Sequence, residues 1–238
     1  MSLFKKDPFG YNLFIKKWLI RILGVISYRR FNNNLIIKGS DIINNLPDKN
    51  VLFISNHQTY FADVTAMFHV FNASLKGRKN SLKNISYIWS PKLNLFFIAA
   101  KETMKSGLLP KILAYTGSIS IERTWRENGK SINRSVNKKD IDNVKTALKN
   151  GWLITFPQGT TKKGAPIRKG TAHIIKENEP IIIPIVIEGF DERFDKTGIK
   201  IINKKTIKSI KIKHRMNIDY KNETIEDIIK KISQEIEI

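Results

Sequence analysis

Short apolar runs, rich in β-branched residues, alternate with helical patterns along most of this chain. The runs that predict strands are residues 34–38, 50–55, 84–89, 117–122, 151–156 and 181–188. The segments that predict helices are residues 63–71, 91–101, 107–115, 137–149 and 168–178. Apolar strands separated by helices are typical of a parallel sheet with helices on both faces. The sequence therefore predicts an α/β fold, a single domain with a central, mostly parallel sheet covered by helices.

The carboxyl-terminal part of the chain breaks this alternation. Residues 199–218 are basic and rich in isoleucine, which predicts antiparallel strands. An amphipathic helix is predicted from about Glu223 to Glu237, with Thr224 or Asn222 near its cap. We therefore predict that the domain covers residues 35–238.

The amino-terminal segment has a different character. Residues 9–28 predict one apolar helix that is interrupted by Lys16, Lys17 and Arg21. This mixture suits a helix in a membrane interface, with apolar side chains in the acyl boundary and cations near lipid phosphates. The cations and the lack of a small-residue cleavage pattern fit a secretory signal peptide poorly. We assign residues 1–34 to an amphipathic, membrane-associating helix; the alternative is a helix packed on the domain.

The formal net charge of +21 predicts attraction to a polyanion, which is nucleic acid, anionic lipid or an acidic carrier protein. A generally lysine-rich composition is the alternative explanation. The aromatic residues cluster in apolar runs and do not alternate with basic residues, which argues against a nucleic-acid partner. A non-enzymatic, basic nucleic-acid-binding protein is kept as an alternative function. The chain has no cysteine, which excludes disulfides, thiolate nucleophiles and cysteine-based metal sites. No run approaches the ~20 apolar residues that span a bilayer.

The stretch Asn-His-Gln-Thr-Tyr-Phe-Ala-Asp, residues 56–63, joins a predicted strand to a predicted helix. His57 follows the strand, and Asp63 opens the helix. An imidazole takes a proton near neutral pH, and a carboxylate can fix its tautomer and orientation. The pair is therefore a candidate acid–base site, although a surface histidine and a helix-capping aspartate would look the same. His69, His173 and His214 have no such context, and we expect them to be structural.

Three further blocks follow: Gly117-Ser-Ile-Ser-Ile-Glu-Arg123, Phe156-Pro-Gln-Gly-Thr-Thr161 and Ile181-Ile-Ile-Pro184-Ile-Val-Ile. In this order, and together with the first stretch, they resemble the bacterial glycerophosphate/lysophosphatidate acyltransferase family. The resemblance covers roughly residues 35–220. It implies direct transfer of a fatty acyl group from a thioester to a hydroxyl, with no metal and no cofactor beyond the acyl donor.

The resemblance makes His57 the general base and Asp63 its orienting partner. The family usually has four residues between the two, whereas this chain has five, Gln58 to Ala62. Neither spacing places both side chains on one helical face, so His57 is expected in the turn before the helix. Either that turn absorbs the added residue, or the pair is broken.

The resemblance also implies that Arg123 binds the phosphate of the acceptor, a role that suits a planar fork of donors. The alternative is a surface arginine paired with Glu122 or Glu127.

The Phe-Pro-Gln-Gly-Thr-Thr block departs from the family pattern. Gln158 stands where the family usually has glutamate, and Thr161 where it usually has arginine. Gly159 lets the backbone approach a ligand closely. The cations just downstream are able to bind an anion instead: Lys162, Lys163, Arg168 and Lys169. The substrate-binding residues that we expect, besides Arg123, are Gln158, Gly159, Thr160, Thr161, Lys162 and Lys163.

These expectations imply acylation of a lysophospholipid, with 1-acylglycerol-3-phosphate as the leading acceptor, in phospholipid biosynthesis. The donor is a thioester of acyl carrier protein or of coenzyme A. Both donors are anionic, so the positive charge of the protein does not distinguish between them. We expect a peripheral or monotopic protein at the cytoplasmic face of the cell membrane, on an anionic surface. The altered block leaves an aminoacyl lyso-lipid without phosphate as an alternative acceptor. A broken His57–Asp63 pair would leave a lipid-binding protein without activity.

Overall fold

The computed structural model describes residues 5–102, 108–122, 126–127, 130–131 and 137–238. Its strands are β1 (Leu35–Lys38), β2 (Val51–Ser55), β3 (Leu95–Ala100), β4 (Ser118–Ile121), β5 (Arg126–Glu127), β6 (Lys130–Ser131), β7 (Trp152–Thr155), β8 (Ile181–Glu188) and β9 (Lys208–Ile212). Its α-helices are α1 (Leu13–Phe31), α2 (Ala62–Ser74), α3 (Leu108–Tyr115), α4 (Lys138–Asn150), α5 (Lys169–Asn178), α6 (Phe190–Arg193) and α7 (Ile225–Glu235). Short 3₁₀ helices lie at Ser40–Asn45 and Ile85–Trp89.

The central sheet has seven strands in the order β1-β9-β8-β2-β7-β3-β4. Neighbouring strands of this sheet run parallel to each other, except that β8 and β9 are antiparallel. The short strands β5 and β6 form a separate antiparallel pair. Because β2, β3, β4, β7 and β8 run in one direction, their carboxyl ends meet at one edge, where open α/β sheets bind ligands. The predicted α/β fold, a mostly parallel sheet flanked by helices, is confirmed.

The central strand β2 shows why the sheet needs helices on both faces. Residues 51–55 are each 0% exposed. Val51 and Phe53 pack with side chains of α2, such as Phe71, in one core cluster. Leu52 and Ile54 point the other way and join side chains of α4, α5 and α7 in a second cluster. Alternate side chains of a strand face opposite sides, so the apolar run of residues 51–54 must be covered on both faces.

Two predicted elements are wrong. The predicted strand at residues 84–89 is instead the 3₁₀ helix Ile85–Trp89. It is capped by Asn84, whose side chain accepts a hydrogen bond from the Ser86 amide. The predicted helix at residues 91–101 contains β3, whose apolar run pairs with β4 and β7. Short apolar runs satisfy helix and strand patterns equally, and pairing within the sheet decided both cases.

The carboxyl-terminal region contains fewer strands than its sequence predicts. Within residues 199–218 the structure has one strand of the sheet, β9, which is antiparallel to β8 as predicted but parallel to β1. The last helix, α7, is capped by Thr224, one of the two predicted caps, through a reciprocal capping box with Asp227.

Helix α1 begins later than predicted, after Asn12, whose side chain accepts hydrogen bonds from the Phe14 and Ile15 amides. Its inner face is buried on the domain through residues that include Ile20, Gly24, Ser27 and Phe31. Its outer face also exposes large apolar side chains: Phe14, Ile15, Trp18, Ile22, Val25 and Ile26. The helix is therefore apolar on two sides, and the predicted amphipathic pattern is not confirmed. The predicted boundary between residues 34 and 35 stays a prediction. Among the described residues, no helix is long and apolar enough to cross a membrane.

Candidate active site

His57 and Asp63 are in contact at the carboxyl edge of the sheet. His57 lies two residues beyond the end of β2, and Asp63 stands in the first turn of α2. The imidazole Nδ1 lies 2.8 Å from Asp63 Oδ2. The turn between β2 and α2 therefore absorbs the added residue, and the pair is made in spite of the longer spacing.

The Asp63 carboxylate is fully buried and accepts several hydrogen bonds besides that of His57. The Gln58 amide donates to Oδ2 at 2.7 Å, and the Thr59 amide donates to Oδ2 at 3.0 Å. The Thr59 hydroxyl donates to Oδ1 at 2.6 Å. Asp63 also lies at the positive end of the α2 dipole, which favours a negative charge. The carboxylate is thus fixed in place, with Oδ2 directed at the imidazole.

This contact determines which ring nitrogen of His57 can take a proton. A carboxylate oxygen accepts, so the hydrogen of the neutral imidazole is on Nδ1 and the lone pair is on Nε2. The His57 side chain is 14% exposed, whereas Asp63 is 0% exposed. Phe156 stacks on the imidazole, with ring centroids 4.0 Å apart and planes 20° apart. Since β7 lies beside β2 and runs parallel to it, Phe156 and His57 both follow strands that end at the same edge of the sheet.

The neighbours of His57 in the chain anchor it to β8 and α6. Asn56 pairs with the backbone of Ile187, accepting from its amide at 2.8 Å and donating to its carbonyl at 2.7 Å. The Gln58 side-chain carbonyl accepts from the Phe190 amide at 2.8 Å. Sequence reasoning assigned no role to Asn56, Gln58, Thr59 or Phe156. Their signal was that all four stand in or next to motif blocks.

A second backbone segment supports the turn. The amides of Tyr60 and Phe61 donate to the carbonyls of Lys196 and Thr197, at 3.1 and 3.0 Å. Gly198 has a φ of +80°, and a Cβ there would lie 2.5 Å from the Ala62 amide nitrogen. Only glycine fits so close to residues 56–61, the turn between β2 and α2 that we name the catalytic turn for its candidate base, His57. No local sequence pattern predicts this contact, because the two segments are far apart in sequence.

Gln158 closes the loop that follows β7. Its side chain is buried, and its Nε2 donates to the Ala165 carbonyl at 2.8 Å. The Arg168 amide donates to the Pro157 carbonyl at 2.9 Å, and Gly159 turns the chain with a φ of +63°. A glutamate at position 158 has no donor for Ala165 when ionised. The departure from the family pattern therefore has a structural use in this chain.

The other predicted binding residues are placed less directly. Thr160 and Thr161 are half-buried on this loop, and Lys162 and Lys163 are exposed on it. The loop begins beside His57, at Phe156. Arg123 lies outside the described residues. Glu122, which precedes it at the end of β4, pairs with Lys101 at 2.5 Å. The predicted binding roles stay predictions.

The remaining histidines lie apart from this site. His69 is fully buried, and its ring nitrogens contact the hydroxyls of Ser27 and Tyr87, each at 2.8 Å. Burial lowers the pKa of His69 to about 3, so it stays neutral and links α1 to α2. His173 and His214 are exposed. No group of three or more metal-ligating side chains occurs in the part of the chain that the structure describes.

A solved structure shares this fold, and a family model matches the sequence. The crystal structure of PlsC, the 1-acyl-sn-glycerophosphate (LPA) acyltransferase from Thermotoga maritima, is similar, with a TM-score of 0.55 and 17% sequence identity. The match covers 92% of this chain and 75% of that chain. No curated protein matches the sequence. A family model described as Acyltransferase matches residues 34–188, which is more than half of the chain. The chain therefore belongs to the Acyltransferase family, as the motif blocks indicated.

Proposed function

We propose that this protein moves a fatty acyl group from an acyl thioester to the free hydroxyl of a lysophospholipid, with 1-acylglycerol-3-phosphate as the preferred acceptor. The observation that carries the proposal is the contact between His57 Nδ1 and the buried carboxylate of Asp63. It leaves Nε2 as the nitrogen that takes a proton, at the carboxyl edge of the sheet. The matched family and the similarity to a lysophosphatidate acyltransferase support the choice of reaction.

The reaction proceeds in one complex of enzyme, donor and acceptor. His57 Nε2 removes the proton of the acceptor hydroxyl while the oxygen attacks the thioester carbonyl carbon. The tetrahedral intermediate collapses as the carbon–sulfur bond breaks, and the imidazolium returns its proton to the departing sulfur. Asp63 stabilises the imidazolium through its ionised carboxylate. No acyl-enzyme forms, and the chain has no cysteine to form a thioester.

The substrates and the surroundings that we propose are anionic. The donor is an acyl carrier protein or acyl coenzyme A, and the net charge of +21 attracts either one. The protein acts at the cytoplasmic face of the cell membrane, where anionic lipids hold basic segments. Phospholipid biosynthesis is the process that uses this product.

The phosphate of the acceptor is assigned to Arg123, Lys162 and Lys163. The loop of Lys162 and Lys163 starts at the residue that stacks on His57. An aminoacyl lyso-lipid is the second candidate acceptor. Thr161 favours it, because the family usually has a cation at that position and threonine carries no charge.

An acceptor panel decides between the two. Purified protein is given lysophosphatidate or an aminoacyl lyso-lipid, with acyl carrier protein and coenzyme A thioesters as donors. We expect Arg123→Ala to raise the KM for lysophosphatidate by about 10- to 100-fold, because a hydrogen bond to a charged group contributes about 1.5–3 kcal/mol. The turnover number should change less, since the phosphate is bound equally before and during reaction. The kinetics with the aminoacyl lipid should hardly change.

The lysines on the loop require a matched set of variants. Lys162→Ala/Lys163→Ala is measured alone and together with Arg123→Ala, because the three cations can share one phosphate. Lys145→Ala, on the exposed face of α4, is the control for the loss of positive charge alone. If Arg123→Ala, Lys162→Ala/Lys163→Ala and their combination all keep the wild-type KM for lysophosphatidate, the phosphate does not bind at these residues.

Membrane contact through α1 has its own test. Deletion of the helix would also expose the core, because Ile20 and Phe31 are buried. We therefore change two outward residues, Ile22→Ser and Ile26→Ser, which are 52% and 62% exposed. Vesicle binding should weaken roughly tenfold or more, because each isoleucine loses its apolar burial in the lipid.

The matched control for this variant is Ile141→Ser, an isoleucine on α4 that is 38% exposed. Co-sedimentation with vesicles gives the partition, and thermal melting checks the fold. If the α1 variant binds vesicles as the control does, α1 does not face the membrane.

A further inference from the structure

The segment between α6 and β9, residues 194–207, exposes apolar and basic side chains together. Ile199, Ile202 and Ile207 are 39%, 57% and 62% exposed. The exposed lysines of this 194–207 loop are Lys196, Lys200, Lys204 and Lys205. Its only acidic residue is Asp195.

Asp195 forms hydrogen bonds inside the loop, and its single negative charge offsets only one of the four lysines. Its Oδ1 accepts from the amides of Ile199 and Lys200, at 3.0 and 2.9 Å. Its Oδ2 accepts from the Thr197 hydroxyl at 2.8 Å. These bonds hold the pKa of Asp195 below its usual range, so the carboxylate stays ionised and shapes the loop. The four lysines therefore leave the loop with a net positive charge.

One end of the 194–207 loop is attached to the catalytic turn. The carbonyls of Lys196 and Thr197 accept from the amides of Tyr60 and Phe61. Gly198 lies against Ala62, the residue that precedes Asp63. The loop is thus in direct contact with the turn that holds His57.

The other end is attached to the chain that leaves α1. The Asn34 side chain donates to the Lys204 carbonyl at 3.2 Å, and the Arg193 guanidinium also donates to that carbonyl. The rings of Phe194 and Phe31 pack 5.8 Å apart. The 194–207 loop therefore extends from the catalytic turn to the end of the helix whose outer face is apolar.

We infer that the 194–207 loop is a second membrane contact, which binds an anionic lipid surface beside the catalytic turn. Exposed isoleucines next to lysines match the two layers of such a surface, because apolar side chains enter the acyl boundary and cations meet the lipid phosphates. An acidic protein would satisfy the lysines but offers no acyl layer for three exposed isoleucines. The inference rests on the proposed function in one respect, that the acceptor is a membrane lipid. It also explains how an acceptor reaches His57 without leaving the interface.

Two variants separate the apolar and the ionic parts of this contact. Ile202→Ser/Ile207→Ser removes apolar side chains, and Lys204→Ala/Lys205→Ala removes charges. Neither pair belongs to the catalytic residues. The matched control is Ile141→Ser/Lys145→Ala on α4, where both residues are exposed. Binding is measured by co-sedimentation with vesicles of equimolar phosphatidylglycerol and phosphatidylcholine, and with vesicles of phosphatidylcholine alone.

We expect each loop variant to bind the anionic vesicles about tenfold more weakly than the control. For the lysine variant the loss should disappear on phosphatidylcholine vesicles and at high salt. Acylation of an acceptor embedded in vesicles should fall in parallel, whereas acylation of the same acceptor dispersed in detergent should stay at the wild-type rate.

The inference is overturned if the loop variants bind anionic vesicles as the control does. It is also overturned if detergent activity falls as far as vesicle activity, since the loop would then only support the catalytic turn. Weaker binding of acyl carrier protein with unchanged vesicle binding would make the loop a protein-docking surface instead. If the wild-type protein acylates no acceptor, the proposed function fails, and the vesicle measurements still decide the inference.

Discussion

The substitution His57→Ala is expected to lower kcat/KM by about 10²–10⁴-fold, the usual contribution of a positioned general base. Alanine cannot accept the proton that the acceptor hydroxyl must lose as it attacks. The fold should survive, because the His57 side chain is partly exposed and lies in a turn beyond the end of β2. Anchors that do not involve the imidazole, such as the pairing of Asn56 with Ile187, still hold the turn.

The measurement is a steady-state assay with lysophosphatidate and an acyl thioester, next to a thermal melting curve. His214→Ala serves as the control, since His214 is exposed and outside the site. A His57→Ala protein that is fully folded and nearly as active as the control would rule out general-base catalysis by His57.

The contact between His57 and Asp63 could be predicted from the sequence because its signal is local. Both residues stand within one short stretch that joins a strand to a helix. The contacts that fix the stretch could not be predicted in the same way. Asn56 and Gln58 bond to the backbone at Ile187 and Phe190, residues that only the pairing of β2 with β8 brings near. The topology of the sheet, and not the motif, supplies these partners.

The two wrong elements have a related cause. The run of residues 95–100 is apolar enough to be a helix face, and its neighbours β4 and β7 make it a strand. The run of residues 85–89 buries Tyr87 and Ile88 in the core without joining the sheet. The local pattern predicts that such runs are buried. Whether a run becomes a strand or a helix depends on whether a neighbouring strand pairs with it. The bounds of β2 and β8 were predicted closely. These strands lie in the middle of the sheet with both faces covered, so their apolar, β-branched runs indicate a strand and not a helix face.

The altered Phe-Pro-Gln-Gly-Thr-Thr block shows a limit of motif comparison. The sequence alone shows only that Gln158 lacks the charge of the glutamate that the family usually has at this position. In the structure its amide donates to the Ala165 carbonyl, which no ionised glutamate can do. The residue type is thus explained by the closure of a loop. The proposed phosphate site is therefore assigned to cations around this position and not to Gln158.

The substitution Asp63→Asn is expected to lower kcat/KM by about 10²–10³-fold, less than the loss of His57 but far more than a surface change. Asparagine has the size of aspartate but only one accepting oxygen. If that oxygen takes the place of Oδ1, it keeps the bonds from Thr59 and the Gln58 amide loses its acceptor. The amide nitrogen then takes the place of Oδ2, where it faces His57 Nδ1 and donates to it. The imidazole hydrogen then moves to Nε2, and the base is in the wrong tautomer. We also expect a loss of about 1–3 kcal/mol in the free energy of unfolding, because a buried donor is left without its acceptor.

The matched variants for this prediction are Thr59→Val and Thr59→Ser. Valine has nearly the shape of threonine but cannot donate to Asp63 Oδ1, whereas serine keeps the donor. If the hydroxyl holds the carboxylate towards His57, valine lowers kcat and shifts the pH profile of the rate, and serine restores both. An effect of packing alone would lower the melting temperature without moving the pH profile. Should Asp63→Asn retain the wild-type rate and pH profile, the carboxylate would be a helix-capping group and His57 would not depend on it. In that case the short stretch between β2 and α2 would be the surface histidine and capping aspartate that its sequence alone could not exclude.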